Sequence, residues 1–524
     1  MPAIEAVAEA AVLWKHGLSL ACCLILLIGC CCGATLETGA TEGTAVRAVT
    51  PTSWSKLSKG PSANLSAAST DGRLTVAADG HWLEFRGKRV LLVGDSVTQG
   101  WMELGDSFDQ TAYVDALSTR GINALLVWAF VGIVDQTTDG RIGYDAPEIW
   151  PWLRTAEGFD LARFNDSYFD RLRSLVKHAN SKDIAVIITV HDGWTKERFP
   201  GHPFNVSNGG TLTDRSQYVE LWDYRQEMPA RLDVRWNRQQ KHQYYLERFC
   251  HRLIQATGDL SAVMYEVFNE GEWYDQTRLR AFQVHFLDFF KARTAAPLIV
   301  NDDHVGGPDF RLESRADAIS LHRPIVSANS RARDYFEHYA RHFGGDSPKP
   351  ILFTETVPAY QGDPATHDAL MRSIWGAALG GASVLIQNDS SFGFDPRTVI
   401  ASQSLNRDGL LDLEGHACRF FNASDLELEY VAPDGSLCST GICLARRGVE
   451  YVVYSQSGTS VMVDLSDGVQ DYTVRFYNPR TGEFHPGSTV VESSSNSLIN
   501  KPDDRDWVIY IESVSKPRGL RGAK

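Results

Sequence analysis

Between residues 89 and 422 one pattern repeats along the chain. A short, continuously apolar run is followed by a longer stretch in which apolar residues recur every three or four positions. The short runs are Arg89 to Gly94, Ile122 to Phe130, Ile184 to Val190, Ala262 to Phe268, Pro297 to Asn301, Ala318 to His322, Ile351 to Thr354 and Ala382 to Gln387. The helical periods lie from Asp109 to just before Gly121, Asp166 to Asn180, Trp236 to Thr257, Gln276 to Thr294, Ala332 to Phe343, His367 to Leu379 and Leu410 to Asn422. Strands that are apolar on both faces belong to a parallel sheet covered by helices. Eight such runs in order, with seven helical periods between and after them, predict a TIM (β/α)8 barrel, with an open doubly wound sheet as the competing arrangement.

Beyond Tyr430 the helical periods stop. Gly448 to Gln456, Ser460 to Leu465, Tyr472 to Tyr477 and Trp507 to Glu512 are short, β-branched or aromatic, and bounded by turn residues such as Asn478-Pro479-Arg480-Thr481-Gly482. They predict a small antiparallel β-sandwich over 429–515, after a barrel over 76–428. Residues 33–75, rich in Thr, Ser, Ala and Gly, read as a flexible tether. Residues 1–32 read as an export signal, with Lys15 and His16 ahead of an apolar run from Leu18 to Ile28. The run ends in Leu27-Ile28-Gly29-Cys30, which resembles a bacterial lipobox. A lipidated Cys30 would attach the chain to a membrane; a simple secretory signal or an uncleaved anchor is the other reading. Each of these places the folded part outside the cytoplasm.

A net charge of −14, with no basic run, excludes a nucleic-acid partner. Five of the nine cysteines lie within the first 32 residues. The other four, Cys250, Cys418, Cys438 and Cys443, contain no Cys-x-x-Cys pair, so no zinc site is implied. Cys438 and Cys443 flank a four-residue turn that a disulfide would close, whereas Cys250 and Cys418 fall in helical patterns and read as buried thiols.

In a parallel barrel all strand C-termini meet at one mouth, where active sites form. At those ends the chain places Asp95 and Ser96, Trp128 and Phe130, His191 and Asp192, Asn269 and Glu270, Asp302 to His304, His322 and Arg323, Glu355, and Gln387 to Asp389. Two glutamates, Glu270 after the fourth strand and Glu355 after the seventh, form the pair that cleavage of a sugar acetal requires. One protonates the departing oxygen and the other attacks the anomeric carbon.

The Asn269-Glu270 pair with Glu355 in register resembles the clan A glycoside hydrolases, the retaining barrel families that include cellulases and mannanases. The segment Trp82 to Arg89, the Gly94-Asp95 step and the tail Tyr451 to Phe484 are similar to an apiosidase-like subgroup, whose β-domain is labelled collagen-binding. The resemblance implies that Glu270 is the acid/base, that Asn269 binds the sugar 2-hydroxyl and that Glu355 is the nucleophile, oriented by His322. Asp95, His191, Trp128, Trp194, Trp273 and Asn388 are the further expected substrate contacts, with Phe392 as another stacking candidate. No cofactor is implied, and a monomer acting on a poly- or oligosaccharide is expected. The chain has Gly-Asp-Ser where the subgroup has Gly-Asp-Thr, and Gln387-Asn388 where a strand-eight tryptophan is common. Both differences leave the sugar unspecified.

Two other readings remain open. Val93 to Gly100 resembles the first block of the Gly-Asp-Ser-Leu esterases, which would make Ser96 a nucleophile with a base drawn from Asp412 and His416. A non-catalytic carbohydrate-binding lipoprotein on the same barrel is the third class.

Overall fold

The computed structural model describes residues 72–96, 101–130, 149–193, 199–220, 235–271, 274–301, 313–321, 331–344, 348–356, 364–387, 409–423 and 425–516. The segment read as an export signal, with Cys30, and the part of the expected tether up to residue 71 lie outside them. The described residues open with a three-stranded antiparallel sheet, β1 (Leu74–Val76), β2 (Leu83–Phe85) and β3 (Lys88–Val90). Eight parallel strands then close into a barrel: β4 (Val93–Ser96), β5 (Ala124–Trp128), β8 (Ala185–Asp192), β9 (Val263–Asn269), β10 (Leu298–Asn301), β11 (Ala318–Ser320), β12 (Ile351–Thr356) and β13 (Ala382–Gln387). Closure of β13 onto β4 replaces the open-sheet alternative with the barrel.

Arg89 to Gly94 is therefore two elements, where the pattern predicts a single strand. Lys88–Val90 pairs backward onto Leu83–Phe85, and Val93–Ser96 pairs forward into the barrel. At the crossing the three backbone amides are held by side chains, while the Leu92 carbonyl accepts from Val384 N–H (2.8 Å). Leu91 N–H donates to Asn422 Oδ1 (3.2 Å), Leu92 N–H to Ser383 Oγ (3.1 Å) and Val93 N–H to Asn123 Oδ1 (2.8 Å). The opening sheet closes the barrel's lower end: Leu74 and Leu83 pack with the inward residues Leu92, Leu126, Ile187, Met264, Ile299, Leu352 and Leu385.

Helices α1 (Gln110–Arg120), α2 (Asp166–Ser181), α3 (Arg238–Thr257), α4 (Gln276–Lys291), α5 (Ala332–Phe343), α6 (Pro364–Leu379) and α7 (Leu410–Ala423) cover the barrel. Their starts are chemically marked. Asp109 accepts from the amides of Thr111 and Ala112, and Asn237 and Gln240 form a reciprocal capping box on α3. A hairpin absent from the sequence expectation, β6 (Trp152–Thr155) with β7 (Gly158–Phe164), stands between β5 and α2.

The C-terminal layer is a seven-stranded antiparallel sheet of β14 (Ala432–Pro433), β15 (Cys443–Arg446), β16 (Glu450–Ser455), β18 (Tyr472–Asn478), β19 (Glu483–Phe484), β20 (Thr489–Val491) and β22 (Trp507–Ser513). A two-stranded sheet, β17 (Ser460–Val463) with β21 (Ser497–Asn500), packs on it through Val461, Val463 and Ile499. The other face of the seven-stranded sheet meets the barrel. Trp375 of α6 stacks on Tyr454 (6.4 Å) and meets Phe421 and Tyr477, while Tyr477 Oη donates to the His416 carbonyl (2.8 Å). Asp506 draws in Arg480 and Arg372 at the same junction. Barrel and β-layer form one compact unit.

Cys250 and Cys418 are buried free thiols of α3 and α7. Cys438 and Cys443 are also free thiols, in place of the expected disulfide, and Cys438 Sγ lies 3.2 Å from Thr440 Oγ1.

Candidate active site

The strands set the site's floor by alternation. Successive inward positions run from aliphatic to polar toward the mouth: Met264 then Glu266 on β9, Ile187 then Thr189 on β8, Ile299 then Asn301 on β10, Ala318 then Ser320 on β11, and Leu352 then Thr354 on β12. These polar groups bond to one another around the ring. Thr189 Oγ1 donates to Glu266 Oε2 (2.6 Å), Asn301 Nδ2 lies 3.5 Å from Ser320 Oγ, and Ser320 Oγ is 2.5 Å from Thr354 Oγ1. Trp128 completes this floor. It is 1% exposed and packs with the barrel interior, and its Nε1 has no partner among the described residues. It is enclosed rather than laid open as a stacking surface.

Sequence reading singled out none of Glu266, Thr189, Ser320 and Thr354. The signal was a lone charged residue inside the apolar run Val-Met-Tyr-Glu-Val-Phe.

Above this floor β8 and β9 change course together. Thr189 and Glu266 face inward, but Val190 with His191, and Val267 with Phe268, then pack consecutively toward the helices. The slip turns His191 away from the mouth, contrary to its expected substrate contact. Its Nδ1 shares a hydrogen bond with Tyr218 Oη (2.9 Å), its Nε2 lies 3.5 Å from Cys250 Sγ, and Phe282 and Phe286 enclose the ring. Burial, aided by the charge of nearby His242, pushes its pKa down to about 3, so the imidazole is neutral.

Asp95 departs from expectation in the same way. It shares a face with Val93, which packs in the outer core, and it accepts a hydrogen bond from Tyr113 of α1. Both residues brace the site from behind.

The slip brings the next pair back to the mouth. Asn269, fully buried, lies with Nδ2 3.5 Å from Asp192 Oδ1. Glu270 follows, half-buried, with φ of 43°, one of three non-glycine residues with positive φ among the described residues. Across the ring, three strands on, Glu355 belongs to β12 at an irregularity: the register with β13 shifts between Phe353 and Thr356. Bulges of this kind re-aim side chains beside active sites. Ser96 ends β4 with its Cα opposite Gln387. Of the remaining expected contacts, His322, Trp194, Trp273 and Asn388 lie outside the described residues, as does Phe392.

The base proposed for an esterase has other partners. His416 Nδ1 is 3.0 Å from the Pro479 carbonyl of the β-layer, and Asp412 pairs with Arg120 (2.9 Å).

Residues 436–512 match a family model described as "Putative collagen-binding domain of a collagenase". No curated protein matches the sequence. Among solved structures, a glycoside hydrolase family 5 protein from Bacteroides vulgatus superposes with a TM-score of 0.60 at 14% identity, covering 86% of this chain and 96% of its own. Another, described as a glycoside hydrolase, gives 0.58 at 13% identity, covering 85% and 98%. At such identities the likeness is one of architecture: this chain shares its closed barrel and following β-strands with these proteins.

Proposed function

We propose that the protein is a retaining glycoside hydrolase, exported and acting on a poly- or oligosaccharide. One observation carries this reading: two glutamates end strands four and seven of a closed parallel barrel, each where the backbone leaves regular strand geometry. The shared fold with glycoside hydrolases supports it.

Glu355, ionised, attacks the anomeric carbon while Glu270, protonated, gives its proton to the leaving oxygen. Once the glycosyl ester forms, the charge of Glu355 is gone, Glu270 is left as a carboxylate, and it draws a proton from the attacking water. Asn269, steadied by Asp192, offers an amide to the sugar hydroxyl beside the reacting carbon. His322 orients Glu355, and Trp194, Trp273 and Asn388 line the sugar path. In the active enzyme the two carboxyls stand about 5 to 5.5 Å apart, too close for an intervening water.

Screening the purified protein against aryl glycosides and plant polysaccharides, with Glu355→Ala as control, tests the reading. Hydrolysis by the wild type that the variant lacks is expected. Nitrophenyl acetate cleavage with fluorophosphonate labelling of Ser96 would replace it with the esterase.

A further inference from the structure

Gly193 follows the last paired residue of β8, and Glu270 follows its partner on β9, so the two occupy the next rung of the ladder. They do not pair as strand residues. Gly193 N–H donates to the Asn269 carbonyl (2.7 Å), and the Glu270 carbonyl oxygen occupies the space that a Gly193 side chain would need. An ideal Cβ on Gly193 would lie 1.5 Å from the Glu270 carbonyl oxygen and 2.7 Å from that of Asn269. No side chain fits there without moving backbone. Glu270 meanwhile sits at φ 43°, a region that costs free energy for any residue bearing a Cβ.

We infer that Gly193 is a positioning residue for Glu270, its absent side chain admitting the carbonyl whose position holds Glu270 in the left-handed region. The consequence lies in direction. Asn269 faces Asp192 at the mouth, and an extended Glu270 would by alternation turn to the opposite side, toward the helices. A left-handed residue breaks the alternation and keeps consecutive side chains on the same side. Asn269 and Glu270 then serve one sugar together. The inference rests on the reading of Glu270 as acid/base.

A substrate-free measurement tests the backbone. Glycine outranks alanine only where φ is positive, so Glu270→Gly should unfold at a higher temperature than Glu270→Ala, the reverse of the order in an extended strand. In a Gly193→Ala background the order should revert. Glu270→Ala matching or exceeding Glu270→Gly in the otherwise unmodified protein overturns the claim, and that pair decides alone if Gly193→Ala does not fold.

The kinetic arm reads the positioning. With the sugar selected by the panel above, Gly193→Ala should lose about 10²-fold in kcat on the methyl glycoside. On the 2,4-dinitrophenyl glycoside, whose leaving group needs no proton, it should keep its initial burst and be accelerated by azide. Gly376→Ala is the control for crowding alone. Its Cβ would meet the carbonyl of Ala332, the first residue of α5, at 2.2 Å in the last turn of α6. It should lower the melting temperature without any azide response. Wild-type turnover of Gly193→Ala, or a loss indifferent to azide, contradicts the inference. Absence of azide rescue in Glu270→Ala itself removes the acid/base reading, while the stability order still reports on the backbone.

Discussion

Glu270 and Cys438 show how single residues take their chemistry from the backbone around them. Cys438 accepts a hydrogen bond from the buried Cys443 thiol, which holds its own pKa down at about 6, with Thr440 Oγ1 3.2 Å away. The Cys438 thiol is thus shifted toward the thiolate, whereas burial raises Cys250 and Cys418. Iodoacetamide at pH 7 should therefore modify Cys438 well before Cys250 or Cys418, as peptide mapping would show. Cys438→Ser should remove the fast phase.

At this scale the sequence was only half legible. That Asn269, Glu270 and Glu355 end strands follows from where apolar runs stop. That Asp95 turns outward was available from its shared face with Val93. The turn of His191 was not, because β8 and β9 slip together and nothing in either segment alone marks a two-residue outward run. Nor does any residue type announce a glutamate at positive φ; only its neighbour Gly193 carries a trace of it.

Among elements, the division between β3 and β4 depends on three polar side chains distant in sequence. Asn123 takes both ends of the crossing: its Oδ1 accepts from Val93 N–H and its Nδ2 donates to the Leu91 carbonyl (3.1 Å). Asn123→Ala leaves two backbone groups without these partners and should cost about 1–3 kcal/mol in urea unfolding. Asn123→Asp keeps the acceptor for Val93 but sets a carboxylate oxygen against the Leu91 carbonyl, so it should not recover the loss at neutral pH. A periodicity reading cannot see this division, since Val90 to Val93 is apolar throughout and pairing partners alone divide it. The β6–β7 hairpin escaped notice because its short strands lie inside a barrel loop. The remaining barrel strands were legible because burial on both faces leaves continuous apolar runs.

Across the whole molecule, barrel and β-layer share one core. Trp375, Phe420 and Phe421 of the barrel helices pack with Tyr454, Tyr477 and Tyr510 of the β-layer. Truncation after Ala423 would expose these aromatics, so the barrel alone should be insoluble or unfolded, and the intact chain should melt in one calorimetric transition.

A second property of the whole fold is acid sensitivity. Burial lowers His191 and His202 to about 3 and His242 to about 4, from an ordinary 6.5. The unfolded chain thus binds protons that the native state refuses, and stability should fall as pH drops below about 6.5 toward those folded values. Urea midpoints between pH 7 and pH 4.5 should decline, and His242→Gln should flatten the slope. A midpoint constant over that range would contradict the neutral assignment.

The proposed reaction passes through a covalent glycosyl–Glu355 intermediate. A 2-deoxy-2-fluoro glycoside with a dinitrophenyl leaving group slows both steps but the second more, so the ester accumulates. Intact mass should rise by one fluorosugar, and peptide mapping should place it on Glu355, with Glu355→Ala unlabelled. An adduct on Glu270, or turnover of ordinary substrate to a sugar of inverted configuration, would contradict the account.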